Sequence, residues 1–434
     1  MKKLFSLVCV TLLLGGAIFA NGSAESASSS GTQKSSGPVT IKYAFWGNPD
    51  AIGVEKDIID AFEQQNPDIK VEPIVAGYND YHSKLMTMIA GGMAPDVMRI
   101  DSYYFNDFTA LGAVENLDSY VQKTGFDTTV YPSFSIKEAT IGGHLYALPW
   151  GAVPSAYMLL NLDAFEKAGI PLPTYDWTID EFENLVKKFD GAKSGCYGYA
   201  HALNMTASIL PFVWADGGNL LSDDRQTYTM DKPEAYKRVQ DLADLYQQGY
   251  LPKDSISADA DMLSRWFTQG NLAMMVGTAQ QILTIQKVEG VRFEAYPMPG
   301  GKIKNTTTVK SNEICMSTTS KYKDATWKFM SFLRGNEGER LYVKARRTPP
   351  TLTNDPSLWS LYLDPNKYPK DIEKATKAIN EKYSHLLPLR KGYSELDSSL
   401  VPVLESIIIG NTTAKDGLTG FAPKAVEIIS RNNK

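Results

Sequence analysis

The sequence predicts an α/β protein made of two lobes, each with a mostly parallel sheet. Strand and helix patterns alternate as βαβαβ from residue 39 to residue 100, and a similar alternation restarts after Pro149. About 400 residues remain once the N-terminal segment is set aside, enough for two or three domains.

Residues 39–46 set Val39, Ile41, Tyr43 and Phe45 against Thr40, Lys42, Ala44 and Trp46, a strand period that ends at the turn residues Gly47, Asn48, Pro49 and Asp50. A helix follows, with Ile58, Ile59 and Phe62 on its apolar side and Asn66 and Pro67 at its end. Residues 70–76 form a second strand. Tyr81, Leu85, Met88 and Ile89 then recur at helical spacing until Gly91, Gly92 and Pro95, and residues 97–100 are a third strand. Strands linked in this way pair in parallel, with the helices packed on the sheet.

After Pro149, the apolar residues 158–161 lead into a helix over 163–168, which Gly169 ends and Pro171 and Pro173 keep from resuming. Thr178 and Glu181 form a capping box for a helix from Ile179 that buries Phe182, Leu185, Val186 and Phe189. Residues 273–276 and 293–296 read as strands and 324–333 as a helix. No fixed period recurs, which excludes solenoids and propellers.

Ahead of this body, Met1, Lys2 and Lys3 precede an apolar run over 4–19 that closes on Ala20, the pattern of a cleavable secretory signal over residues 1–20. Residues 21–38 are rich in Ser and Gly and read as a flexible linker. A lipid anchor needs a Cys directly after the apolar run. Asn21 stands there, so a soluble periplasmic product is expected.

Without Lys2 and Lys3 the basic count falls from 44 to 42 against 49 acidic residues, a net charge of −7 that argues against nucleic-acid binding. Cys196 and Cys315 lie far apart in sequence and read as small buried hydrophobes rather than a disulfide scaffold.

Eight segments, in order, resemble one family: 62–71 (F-E-Q-Q-N-P-D-I-K-V), 90–97 (A-G-G-M-A-P-D-V), 111–117 (L-G-A-V-E-N-L), 142–149 (G-G-H-L-Y-A-L-P), 161–178 (N-L-D-A-F-E-K-A-G-I-P-L-P-T-Y-D-W-T), 214–218 (W-A-D-G-G), 267–277 (F-T-Q-G-N-L-A-M-M-V-G) and 297–300 (P-M-P-G). Together they resemble the family 1 extracellular solute-binding proteins, the sugar receptors of ABC importers, maltose-binding-protein-like. Many of these residues are fold punctuation: Asn66, Gly91, Gly92 and Gly169 stop helices. The resemblance implies the type II periplasmic binding fold with a multi-crossover hinge. The lobes expected are 39–148 plus about 281–333, and 149–280 plus about 334–434, with crossovers near 148–152, 277–280 and 333–347. It also implies a small-molecule sugar ligand, ABC transporter permease subunits as partners, a monomer, no cofactor and no catalysis.

Ligands of parallel α/β sheets sit beyond the carboxyl ends of the strands. Trp46, Asn48 and Asp50 follow the first strand, and Asp101 and Tyr103 follow the third. Trp150, Asn204, Trp214 and Gly218 are the candidates of the second lobe. The resemblance brings the loop holding Thr278 and Gln280 to the cleft; relatives carry an aromatic near it, so Trp266 or Trp359 would have to substitute. Arg347 either reaches the cleft or ends a surface helix. An aromatic ring lies flat on the CH face of a pyranose, while Asp, Asn and Arg take its hydroxyls. Each Trp also has a core reading, and Asp101 can be a helix cap.

His82, His144, His201 and His385 share no metal-ligand spacing, and no H-E-x-x-H, G-x-S-x-G or G-x-x-x-x-G-K-[ST] run occurs. A glycoside hydrolase needs only two carboxylates and stays open as an alternative, as does a receptor for a polyamine, a glycerol phosphate or a metal chelate. The Trp46, Trp150 and Trp214 set favours a sugar.

Overall fold

The computed structural model describes residues 37–203 and 205–433. The expected signal segment, nearly all of the linker, and Asn204 lie outside the described residues.

Among the described residues there are twelve strands: β1 (Val39–Trp46), β2 (Ile69–Ala76), β3 (Val97–Asp101), β4 (Thr140–Ile141), β5 (His144–Leu145), β6 (Leu148–Pro154), β7 (Tyr157–Asn161), β8 (Tyr197–Ala200), β9 (Leu272–Gly277), β10 (Phe293–Tyr296), β11 (Thr307–Met316) and β12 (Ser384–Leu386). The first sheet has the order β12-β11-β3-β1-β2, with β6 also paired to β11, and the second has the order β10-β7-β9-β8. β4 and β5 form a small separate hairpin. In the first sheet β1 is parallel to β2 and β3, and β11 runs against both β3 and β6. In the second, β8, β9 and β10 point one way and β7 the other. The strands of reversed direction, β7, β11 and β12, each follow a crossing between the lobes.

The first lobe forms as the periodicity predicts. Ile41, Tyr43 and Phe45 of β1 are buried, and the helix Pro49–Gln65 covers them with Ile58, Ile59 and Phe62. Asn48 starts that helix by accepting the Ala51 N–H at 3.0 Å. In the second lobe Thr178 and Glu181 make the expected capping box for the helix Ile179–Phe189. Trp177 and Trp327 are core, each with its indole N–H bonded, to Pro297 O at 3.0 Å and Thr124 Oγ1 at 3.2 Å. Cys196 and Cys315 are free thiols.

The first two crossings differ from the expectation. The first falls between β6 and β7, a few residues beyond 148–152. The second is not at 277–280: there Thr278 caps the helix Ala279–Ile285, whose Ile282 and Ile285 pack into the second lobe, and β10 then pairs with β7. The chain returns to the first sheet only between β10 and β11, so residues 281–296 belong to the second lobe. The third crossing follows Tyr342, because that residue of the helix Asn336–Lys344 is still part of the first lobe's core. β12 then comes back to pair with β11, so both lobes share the C-terminal segment.

Candidate ligand-binding cleft

A cavity of about 590 Å³ opens between the two lobes. On the first lobe its wall is Trp46, Gly47, Asn48, Ala51, Glu55, Gly77, Tyr78, Arg99, Trp150, Tyr342 and Arg347; on the second lobe it is Asp261, Gln280 and Thr284.

The aromatic wall is organised around Arg99, which points off the middle of β3 and is 2% exposed. Its guanidinium lies 4.3 Å from the centre of the Trp150 ring and 5.5 Å from that of Trp46, close enough for cation–π attraction to both. Its Nη2 donates to the hydroxyls of Tyr43 at 2.8 Å and Tyr342 at 3.1 Å and pairs with the buried Glu55. Its Nε has no hydrogen-bond partner among the described residues. Trp150 is held edge-on by Tyr342, with ring centres 5.5 Å apart, and a bulge in β6 follows it at Gly151, whose φ of 60° suits glycine. Trp46 packs edge-on to Tyr78 and Tyr81 and tilted against His82. Burial pushes the His82 imidazole down to about 4; it is a neutral acceptor, taking the Asp101 N–H at 3.1 Å.

At the inner end of the cavity Tyr78 donates to Asp101 at 3.2 Å. Asp101 caps the helix Ser102–Ala110 through the Tyr103 N–H and also takes the Lys310 ammonium at 3.0 and 3.1 Å. Burial opposes its charge, but Lys310 and the Tyr103 N–H outweigh that and hold the carboxyl below its ordinary range. The Tyr103 ring carries the Lys310 ammonium at 4.4 Å, and its hydroxyl crosses to the second lobe, bonding Thr206 Oγ1 at 2.7 Å.

The cavity therefore brings together Trp46, Asn48, Trp150, Gln280 and Arg347 of the residues expected from sequence. Asp101 and Tyr103 join it indirectly, through Tyr78. Asp50 is exposed beside Arg347, and Thr278 is the cap that presents Gln280 and Thr284. Arg347 has no ion-pair partner among the described residues; burial and the neighbouring Arg99 lower its pKa, with Asp50 offsetting part of that. Trp214 and Gly218, expected at the cleft, lie outside the lining of this cavity. Trp214 is 1% exposed, stacked on His385 at 3.9 Å, with its N–H on Asn219. A Cβ at Gly218 would come within 2.9 Å of the Glu234 backbone, so this glycine lets the helix Pro233–Gln247 approach. Trp359 is likewise buried in the core. Sequence reasoning missed Glu55, Tyr78, Arg99, Asp261, Thr284 and Tyr342. Arg99 had a signal of its own, a charge between apolar residues of a buried strand, V-M-R-I, and Tyr78 had one in its place just past the end of β2.

Residues 57–384 match the family described as bacterial extracellular solute-binding protein. The chain belongs to that family. An uncharacterized lipoprotein of Streptomyces antibioticus is 27% identical over 68% of this chain and 67% of its own length. A carbohydrate ABC transporter substrate-binding protein of Streptococcus pneumoniae is 22% identical over 83% of this chain and 79% of its own. Among solved structures, an ABC substrate-binding protein of Listeria monocytogenes in complex with cycloalternan superposes with a TM-score of 0.79 at 24% identity, covering 91% of this chain and 99% of that one. The solute-binding protein thus has the type II periplasmic binding fold, and the family is one of binding proteins rather than enzymes. No helix among the described residues is long and apolar enough to cross a membrane, and no described cluster of His, Cys, Asp and Glu suits a metal ion.

Proposed function

We propose that this solute-binding protein captures a mono- or oligosaccharide in the interlobe cleft and delivers it to the permease of an ABC importer from the periplasm. The observation that carries this reading is the pairing of an aromatic wall, Trp46, Tyr78, Trp150 and Tyr342, with a polar wall, Asp261, Gln280 and Thr284, across one cavity. A pyranose offers CH faces to the first and hydroxyls to the second. The unbonded Arg99 Nε and Arg347 add donors for ring and hydroxyl oxygens. The names of the streptococcal and Listeria relatives support the same ligand class.

Ligand resting on the first lobe meets the second only when the lobes approach, so it stabilises the closed form by that difference in contacts, and the permease reads the closed form. Arg347 favours a second reading, an anionic solute such as a glycerol phosphate, because its guanidinium has no carboxylate partner.

Thermal melts against a panel of mono- and oligosaccharides, polyamines and glycerol phosphates separate these readings. A ligand at about 100 times its dissociation constant adds about 2.7 kcal/mol. Stabilisation by a saccharide is the expected result, and stabilisation by glycerol phosphate alone selects the second reading. Fractionation of cells tests the location: recovery with the soluble periplasmic fraction is expected, whereas tight association with membranes would mean a lipid anchor, as the name of the Streptomyces relative carries.

A further inference from the structure

β11 presents alternate side chains to opposite faces of the first sheet. Lys310 points to the cleft, where it meets Asp101. Ser311 and Glu313 point away from it, toward the helix Ser133–Glu138. Behind the sheet lies a separate cavity of about 200 Å³, lined by Ser102, Glu138 and Glu313 from the first lobe and by Arg225, Leu387 and Leu389 from the segments that join the second lobe's core.

Two carboxyl groups meet one hydroxyl here. Ser311 Oγ is 3.1 Å from Glu138 Oε2 and 2.9 Å from Glu313 Oε1, and the Ser311 N–H donates to Glu138 Oε2 at 2.8 Å. A hydroxyl has a single proton, so two carboxylates cannot both accept from it; one of the two contacts needs a proton on a carboxyl. Glu313 is 0% exposed, and no cation among the described residues bonds to either acid. Glu313 Oε2, Glu138 Oε1 and Ser102 Oγ have no hydrogen-bond partner among the described residues.

We propose that Glu138, Ser311 and Glu313 form a proton-binding site behind the hinge, in which the Ser311 hydroxyl relays one shared proton and whose occupancy changes as the lobes move. The neutral Glu313 donates to Ser311 Oγ, which donates to Glu138; raising the pH leaves this shared proton in place, and lowering it adds a second on Glu138. Burial pushes Glu138 up to about 7 against the N–H and hydroxyl of Ser311, and drives Glu313 well above the carboxyl range. The charged and titratable groups around the pair are Lys137 and Arg225 at the cavity, Asp101 and Lys310 across the sheet, and the Cys315 thiol on the same strand. Asp101 disfavours the second negative charge and Lys310 favours it, but the two neutralise one another by pairing. Arg225 is turned to Leu389 O at 2.6 Å and is bonded to neither carboxyl. Because both lobes supply the cavity's wall, lobe rotation changes its hydration and so its proton affinity, and linkage makes the lobe equilibrium depend on pH in return.

Infrared spectroscopy of the full chain without added ligand, titrated from about pH 5 to about pH 9, tests the site. A protonated-carboxyl band that persists at the alkaline end and is lost in Glu313→Gln is expected, together with a second component that titrates near neutrality and is lost in Glu138→Gln. Ser311→Ala, which keeps both acids, should shift that second component. Small-angle scattering over the same pH range should change across the neutral transition in the natural chain and stay flat in Glu138→Gln. Absence of the alkaline band, its survival in Glu313→Gln, or scattering that ignores pH in the natural chain would overturn the proposal. No saccharide enters these measurements, so their outcome leaves the reading of the cleft untouched.

Discussion

The two walls of the cleft are made of different materials. The first lobe offers four aromatic rings set around a buried guanidinium, whereas the second offers three polar side chains from two helices, Ala260–Thr268 and Ala279–Ile285. Aromatic area is fixed in place before a ligand arrives, because Trp150 is held by Arg99 on its face and Tyr342 at its edge. Polar side chains near the surface adapt at closure and contribute less each, about 0.5–1.5 kcal/mol per hydrogen bond. Under the proposed function, this contrast gives capture to the first lobe and closure to the second.

The largest effect falls on the brace. Arg99→Met leaves Glu55 buried without its cation and should cost about 3–5 kcal/mol in urea unfolding, while Arg99→Met combined with Glu55→Gln should recover most of it. An undisturbed single variant would mean the pair does not support the wall. Next comes the stacking surface: Trp150→Ala should weaken the saccharide selected by the melting panel by about 2 kcal/mol, roughly thirtyfold, in calorimetric titration. If the melting temperature collapses while binding persists, Trp150 is packing and the two walls do not differ as described. Asp261→Ala should be milder, lowering affinity by about 1 kcal/mol through a faster off-rate and leaving stability within about 0.5 kcal/mol, measurable by stopped-flow release and thermal melts. Equal losses for Trp150 and Asp261 would erase the contrast.

A further effect is on pH. His82 and His201 are both driven to about 4 by burial, so the fold favours their neutral forms. Their contribution is complete above the ordinary histidine range near 6.5 and is lost as pH falls toward 4. His82→Gln keeps an acceptor for the Asp101 N–H and should flatten part of that acid limb in melts followed from neutral to acidic pH. Glu138 runs the other way. Its raised carboxyl adds stability below the ordinary range and loses it as pH rises through about 7.

Much of the first lobe was legible because it obeys local rules. The period of two over 39–46, the cap at Asn48 and the helix stops at Asn66 and Gly91 each depend on neighbours within a few residues. The rule that ligands gather past strand ends found Trp46 and led to Asp101, which the structure engages as a cap and an ion-pair partner of Lys310. Applied to the end of β2 it would also have found Tyr78. Trp214 was misread because its surroundings, W-A-D-G-G, carry turn residues that suggest a loop, while its ring is buried by His385 from a strand 171 residues on. The crossing expected at 277–280 failed for a related reason: whether the chain stays in a lobe after β9 depends on β10 pairing with β7, and that pairing spans more than 130 residues.

The amino-acid sequence by itself determined the α/β alternation, the helix boundaries and the strand ends that carry Trp46 and Asp101, since these follow from periodicity, capping and turn chemistry. Only the tertiary structure decided which side chains share a space. Arg99 meets Trp150 and Tyr342, Glu138 meets Glu313, and residues 281–296 join the second lobe through contacts between segments distant in the chain. Burial sets the charge state of such groups, and burial is a property of the packed molecule, not of a residue and its neighbours in sequence.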